Sequence, residues 1–244
     1  MRNIKLLIEY DGTRYQGFTR RDSGKTISYK LQEALLRVTG KEVDLTGAVK
    51  TDPGVHATAQ TVHFLTDTPL SLRELKTALN RNLPMDIAVT GISEMPSRFH
   101  AALNLKSCAY TYLLDTGRVP DIFTGKYALH FPAPLHTKAI EAAARQLCGT
   151  HDFACFSAGK NKKSTVRSIS ELVLYTSESS SQLHLYICAD SFLRLMPQLI
   201  VGTLLDIGTG KRFPEDITAI LEGTSKCSAP SPALGLCLME TNYV

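Results

Sequence analysis

The sequence predicts an α+β fold, and two observations carry that prediction. From Ile4 to Ile92 the strand-like and helix-like stretches run β-α-β-β-α-β, and the second half of the chain repeats that theme loosely. This order is that of a ferredoxin-like unit, with an antiparallel-rich sheet and both helices on one face. The other face is left open for binding.

Ile4 to Tyr10 reads as a strand closed by Asp11-Gly12-Thr13. The loop from Arg14 to Lys25 carries four cationic side chains and interleaves Tyr15 and Phe18, a combination that suits either an RNA backbone with a stacked base or a solvated loop. Thr26 to Val38 places Ile27, Leu31, Leu35 and Val38 at near-helical spacing and ends at Gly40, which predicts a helix. Glu42 to Val49 and Gln60 to Leu65 read as strands around a turn at Asp52-Pro53-Gly54. A second helix, Ser71 to Asn82, opens with Ser71 as N-cap and Glu74 three residues on, and Ile87 to Ile92 is a further strand.

A connector from Ser93 to Leu105 leads to a strand at Lys106 to Leu114, which divides the chain into subdomains 1–104 and 105–244. Beyond it come a helix at His136 to Leu147, a basic loop at Lys160 to Arg167, and paired strands at Ser168 to Tyr175 and Leu183 to Ala189. A helix follows from Met196 to Ile207 with Pro197 as its first residue, then a short helix near Glu215 to Leu221 and a last strand at Leu234 to Met239.

Composition narrows the function classes. At 244 residues with 20% charged side chains, the chain can bury a substantial core and stay soluble, and no stretch is apolar enough to span a bilayer. Met1-Arg2-Asn3-Ile4 enters a strand pattern with no signal-peptide core, so the expectation is a cytoplasmic protein without membrane contact. A net charge of +4 permits a polyanionic partner without demanding one. The six cysteines form no CxxC pair, so no zinc site is indicated, and they read as buried small hydrophobes.

Asp-Pro-Gly alone is an ordinary turn. Its company changes the weighing, because Lys50 and Thr51 precede it and Val55-His56-Ala57 follows. The string Lys50-Thr51-Asp52-x-Gly54-Val55-His56-Ala57 resembles the active-site motif of the tRNA pseudouridine(38-40) synthases, which modify the anticodon arm and carry an essential aspartate in it. Tyr10-Asp11-Gly12-Thr13, Phe99-His100-Ala101 with the later Tyr110-x-Tyr112, His151-Asp152-Phe153, Phe192-Leu193-Arg194 and Ala233-x-Gly235-Leu236 match further family signatures in order. The resemblance implies two ferredoxin-like α/β subdomains sharing a mixed, largely antiparallel sheet, a basic RNA-binding cleft, and a homodimer that grips one tRNA. It also implies Asp52 as the catalytic carboxylate, with Tyr110, Lys50, Thr51, His56, Arg194 and Gln198 around the substrate.

Turning uridine into pseudouridine breaks the N1 glycosidic bond and rejoins the base through C5, with no group added and no net redox change. Neither a cofactor nor a metal is needed, and one carboxylate acts at C1′ as nucleophile or at C2′ as base. The base must leave its stack, and a partly dry pocket requires a cation to keep the acid ionised. Here the sequence departs from the family: Lys50 stands for an arginine and so loses the planar fork, and Gln198 stands for a second. Two readings follow. Lys50 or Arg194 substitutes and catalysis is retained, or the chain is a weakened or retargeted paralogue that binds structured RNA. A third keeps only the fold. For His56 the residues favour a turn-stabilising or packing role over that of a general acid.

Overall fold

A computed structural model describes residues 1–19, 24–159, 164–176 and 181–243. In chain order the elements are β1 (Arg2–Tyr10), α1 (Ile27–Thr39), β2 (Leu45–Gly47), β3 (His56–Thr66), α2 (Leu72–Asn82), β4 (Ile87–Met95), β5 (Ser107–Asp115), β6 (Leu129–His130), α3 (Thr137–Leu147), β7 (Gly149–Asp152), β8 (Val166–Thr176), β9 (Gln182–Ala189), α4 (Met196–Gly208), α5 (Asp216–Leu221) and β10 (Leu236–Asn242). They form two compact units, Met1–Lys106 with Cys237–Val244, and Ser107–Leu236. Both carry largely antiparallel sheets, as an α+β fold requires.

In the first unit β1 lies between β4 and β3, antiparallel to each. Ile4, Leu6 and Ile8 stand opposite Phe64, Val62 and Gln60, and all six are buried at 1% exposure or less. Buried aliphatic side chains of this kind each contribute about 1.5–3 kcal/mol. Helices α1 and α2 pack on each other, and α2 on β4, through residues such as Leu31, Leu35, Leu75 and Leu79. Thr26 caps α1, and Gly40 ends it at φ 73°. Ser71 and Glu74 complete the expected capping box on α2.

The expected Glu42 to Val49 strand contracts to Leu45–Gly47 for a physical reason. The free edge of β3 has two tenants: β2 pairs with Val62 to Phe64, and β10 runs parallel to it at His56 and Ala57. Ala48 N–H still donates to the Thr61 carbonyl of β3 at 2.8 Å, and from Val49 on the backbone turns to other partners.

In the second unit the order is β5-β9-β8-β7, with β6 parallel to β5. Strands β5, β8 and β9 with helices α3 and α4 repeat the first unit's pattern, in which the first strand pairs with the third and the third with the second. β6 and β7 are too short for a periodic signal. α4 starts at Met196 as expected, after Leu195 in the left-handed region at φ 58°, so Pro197 is its second residue rather than its first. Of the Ser177 to Ser181 turn that the sequence places between β8 and β9, residues 177–180 lie outside the described residues.

Of the cysteines only Cys108 is buried; the other five are half-buried, Cys188 and Cys237 at the less covered alternate positions of β9 and β10. All six are free thiols. Burial pushes the Cys108 thiol up to about 12.

Asp115, 1% exposed at the end of β5, organises the loop that follows. One carboxylate oxygen accepts the Gly117 N–H at 3.0 Å and the Ser181 hydroxyl at 3.1 Å, while the other accepts the Asp121 N–H at 2.9 Å. The Asp121 and Gly117 amides hold its acidity below the usual carboxylate range, against burial. A depressed value stabilises the fold above the ordinary carboxylate range, and that contribution is lost as pH falls through the folded-state value. Asp115→Asn is therefore expected to cost about 2 kcal/mol in urea denaturation at neutral pH. The gap from wild type should narrow toward pH 3; a gap constant with pH would refute the account.

Candidate active site

Asp52 sits at a tight turn between β2 and β3, half-buried, with Pro53 exposed and Gly54 at φ 81°. The backbone leading to it has left the sheet, so its polar groups are satisfied by side chains and by a neighbouring loop. Gln60 lies on the apolar face of β3 at 0% exposure. Its Nε2 donates to the Val49 carbonyl at 2.7 Å and its Oε1 accepts the Val49 N–H at 3.2 Å. One amide thus does for Val49 what a strand neighbour does in a ladder. Two residues on, the Thr51 hydroxyl is 2.8 Å from the Tyr10 hydroxyl, and both side chains are buried. Burial raises the Tyr10 phenol well above its ordinary value, so it stays a neutral hydroxyl.

The loop after β1 locks the turn from the other side. Phe18 N–H donates to the Thr51 carbonyl at 3.1 Å, and Gly54 N–H to the Tyr15 carbonyl at 3.2 Å. The two loops approach so closely that a Cβ on Gly12 would stand 2.0 Å from the Val55 carbonyl oxygen. Gly17, at φ 88°, would place one 2.6 Å from the Thr51 carbonyl. His56 closes the circuit: its Nδ1 accepts the Gly12 N–H at 3.1 Å and lies 3.2 Å from Asp11 Oδ1. That is the turn-stabilising geometry favoured for this histidine.

The loop is anchored in turn at Asp86, just before β4. Tyr15 O–H donates to one of its oxygens at 2.7 Å, and the Arg14 guanidinium pairs with the other. Burial acts to raise the Asp86 carboxyl, but the bonds from Tyr15 and Arg14 outweigh it and leave the acid below its usual range. Tyr15 and Phe18 are consequently 9% and 3% exposed. They are packing residues rather than the stacking platforms their interleaving with cations suggested. Arg20 and Arg21 of that loop, and Lys160, Lys162 and Lys163 of the second basic loop, lie outside the described residues.

Lys50 is exposed beside Asp52, and Arg194 is exposed just before α4. Because α4 begins only at Met196, Arg194 is not one helical turn from Gln198. In the second unit Tyr110 is 4% exposed and meets the Phe192 ring edge-on at 5.2 Å. Gln198, on the third residue of α4 and 7% exposed, is a staple: its Nε2 donates to the Ser231 carbonyl at 3.0 Å, and its own carbonyl accepts the Ser231 N–H at 2.9 Å. Its Oε1 is buried and has no partner among the described residues.

Tyr10 stands in a family signature but was given no role, and Gln60 and Asp86 were not singled out in the sequence. A signal existed for Gln60 as well, a lone amide at an inward position of an apolar strand face. Among the described residues no group of three or more His, Cys, Asp or Glu side chains is arranged to hold a metal ion, and no helix is long and apolar enough to cross a membrane.

Residues 6–103 and 143–244 match the family model described as tRNA pseudouridine synthase. The chain is 37% identical over 246 residues to "tRNA pseudouridine synthase A 2" of Clostridium perfringens, and 37% identical over 246 residues to "tRNA pseudouridine synthase A" of Acetivibrio thermocellus, in each case across all of both chains. It is 39% identical over 249 residues to the synthase A of Citrifermentans bemidjiense, across 100% of this chain and 98% of that one.

The Tyr10–Thr51 bond is testable alone. Tyr10→Phe and Thr51→Val should each cost about 1–2 kcal/mol in chemical denaturation, and the double variant should cost about 1 kcal/mol less than their sum. Strictly additive costs would show that the hydroxyls do not support each other.

Proposed function

Because the chain belongs to the tRNA pseudouridine synthase family and isomerises uridine to pseudouridine in tRNA, we propose that Asp52 is the carboxylate that performs the reaction, on uridines of the anticodon arm. The observation that carries this reading is the brace just described. A half-buried acid stands at the tip of a turn whose backbone is fixed on both sides by Gln60, Tyr10 and the loop from Gly12 to Phe18. Holding a reacting group in place before substrate arrives is where much of an enzyme's rate acceleration originates.

The carboxylate acts on the sugar of a uridine drawn out of its stack. The C1′–N1 bond breaks, the base turns, C5 bonds to C1′, and the proton released from C5 is balanced by one taken up at N1. Nucleophilic attack at C1′ and proton abstraction at C2′ both satisfy that balance. Beside it Lys50 supplies a positive charge, and Thr51 and His56 hold the turn; the family resemblance supports Tyr110, whose ring is held edge-on to Phe192, as the residue that meets the base. The family resemblance supports Arg194 as a second cation for the substrate, and Gln198 positions the start of α4. The reading extends to a cytoplasmic homodimer that grips one tRNA; the family resemblance supports that part.

Gln198 favours a second possibility, a synthase of reduced rate. Its amide nitrogen is committed to Ser231, so this position contributes no charge to an ionised acid. One experiment addresses both. Incubation with unmodified tRNA transcripts and carbodiimide-dependent reverse-transcription mapping should show pseudouridine in the anticodon arm. Asp52→Asn should lower the rate at least about a thousand-fold while tRNA binding persists. Equal modification by Asp52→Asn would remove the carboxylate from the mechanism. Gln198→Arg raising the wild-type rate would identify the slow enzyme.

A further inference from the structure

A second site lies in the first unit, away from the aspartate turn. The connector after β4 folds over the open face of the sheet and leaves a groove of about 500 Å³ lined by Arg98, Phe99, Leu103, Asn104, Lys106 and Tyr243, among others, with no acidic side chain in its walls among the described residues. Lys5 Nζ lies 6.0 Å from the Phe99 ring centroid and 5.9 Å from that of Tyr243. Arg98 and Lys106 are exposed and form no ion pair among the described residues; the nearby Glu94 pairs with Arg2. Leu103 is 80% exposed, an apolar side chain beside two unpaired cations.

The groove is built rather than incidental. Asn3, 3% exposed, donates from Nδ2 to the carbonyls of Pro96 and Phe99 at 3.0 and 2.9 Å. Ala101 N–H donates to His63 Nδ1 at 3.2 Å, and the Tyr243 hydroxyl donates to the Ala101 carbonyl at 2.8 Å. Lys106 N–H donates to the Asn242 carbonyl at 2.9 Å. Three sequence-distant segments thus hold one surface loop with buried polar groups, and what the groove presents is the half-buried Tyr243 ring, the exposed Leu103 and two exposed cations, with Phe99 buried beneath them. Lys5 stands opposite His63, seven residues along β3 from His56, so the groove is roughly 23 Å from the turn that holds Asp52.

We propose that this groove is a second RNA-contact site, with a phosphodiester of the bound tRNA on Arg98 and Lys106 and a nucleobase against Tyr243 and Leu103. The inference rests on tRNA being the substrate, and the chemistry of the walls favours it. Cations without acidic neighbours attract a polyanion, and an aromatic beside them takes a base face, the pairing by which single-stranded nucleic acid is held without sequence preference. An acidic protein segment satisfies the cations but leaves the aromatic wall unexplained.

The test uses the full chain and an unmodified tRNA transcript. Arg98→Ala with Lys106→Ala, both exposed, should weaken binding about ten-fold and make the slope of log affinity against log salt shallower by about one to two. With 4-thiouridine-substituted tRNA, crosslinks should appear in peptides holding residues 98–106 or Tyr243 and be lost in the double variant. Unchanged affinity and slope, with wild type binding normally, would overturn the groove alone. Wild type failing to bind tRNA would overturn the proposed function instead. Displacement of the tRNA by poly-glutamate as readily as by unrelated RNA would assign the groove to an acidic protein.

Discussion

The architecture around Asp52 follows from the rule that a buried backbone polar group must find a partner. When β2 ends at Gly47, Val49 loses its strand neighbour, and the Gln60 side chain replaces it with one donor and one acceptor in the right places. Everything beyond is consequence. With Val49 tied, Thr51 reaches Tyr10, the Thr51 carbonyl receives Phe18, and the turn at Asp52 has one place to go. The amide is costly to bury and tolerable only because every contact it makes is used. Glycines at 12 and 17 then let two loops touch where any side chain would separate them.

Much of this was legible before any coordinates. The helices of the first unit announced themselves by period and by their ends, Gly40 closing one and Ser71 with Glu74 opening the other, because capping is local chemistry between residues three or four apart. The aspartate turn was legible through a string of adjacent residues. What stayed hidden depends on contacts across long separations. Nothing near Tyr15 in sequence says that its hydroxyl will bond Asp86, which removes it from the surface. β6 and β7 were invisible because two to four residues carry no period. The loss of the Val49 end of the expected Glu42 to Val49 strand depends on a competitor from the far end of the chain.

The two sequence departures differ in physical character. Lys50 keeps a positive charge on a long, exposed, flexible side chain, so position 50 remains electrostatically similar while losing directionality. Gln198 has been absorbed into the scaffold, joined to Ser231 in both directions and holding the start of α4 to the segment ahead of β10. Its one idle atom, Oε1, is an acceptor. A residue tied in this way steadies a helix; it does not stabilise a negative charge.

The sharing of the β3 edge bears on how the molecule is made. Residues 237–244 belong to the first compact unit although residues 107–236 separate them from the rest of it. During synthesis on the ribosome, the first unit emerges with the His56 end of β3 unclaimed, and it stays so while the whole second unit is translated and folds. A waiting strand edge is an invitation to pair with another nascent chain, and it is withdrawn only when Leu238 and Thr241 arrive to meet Thr58 and Thr61.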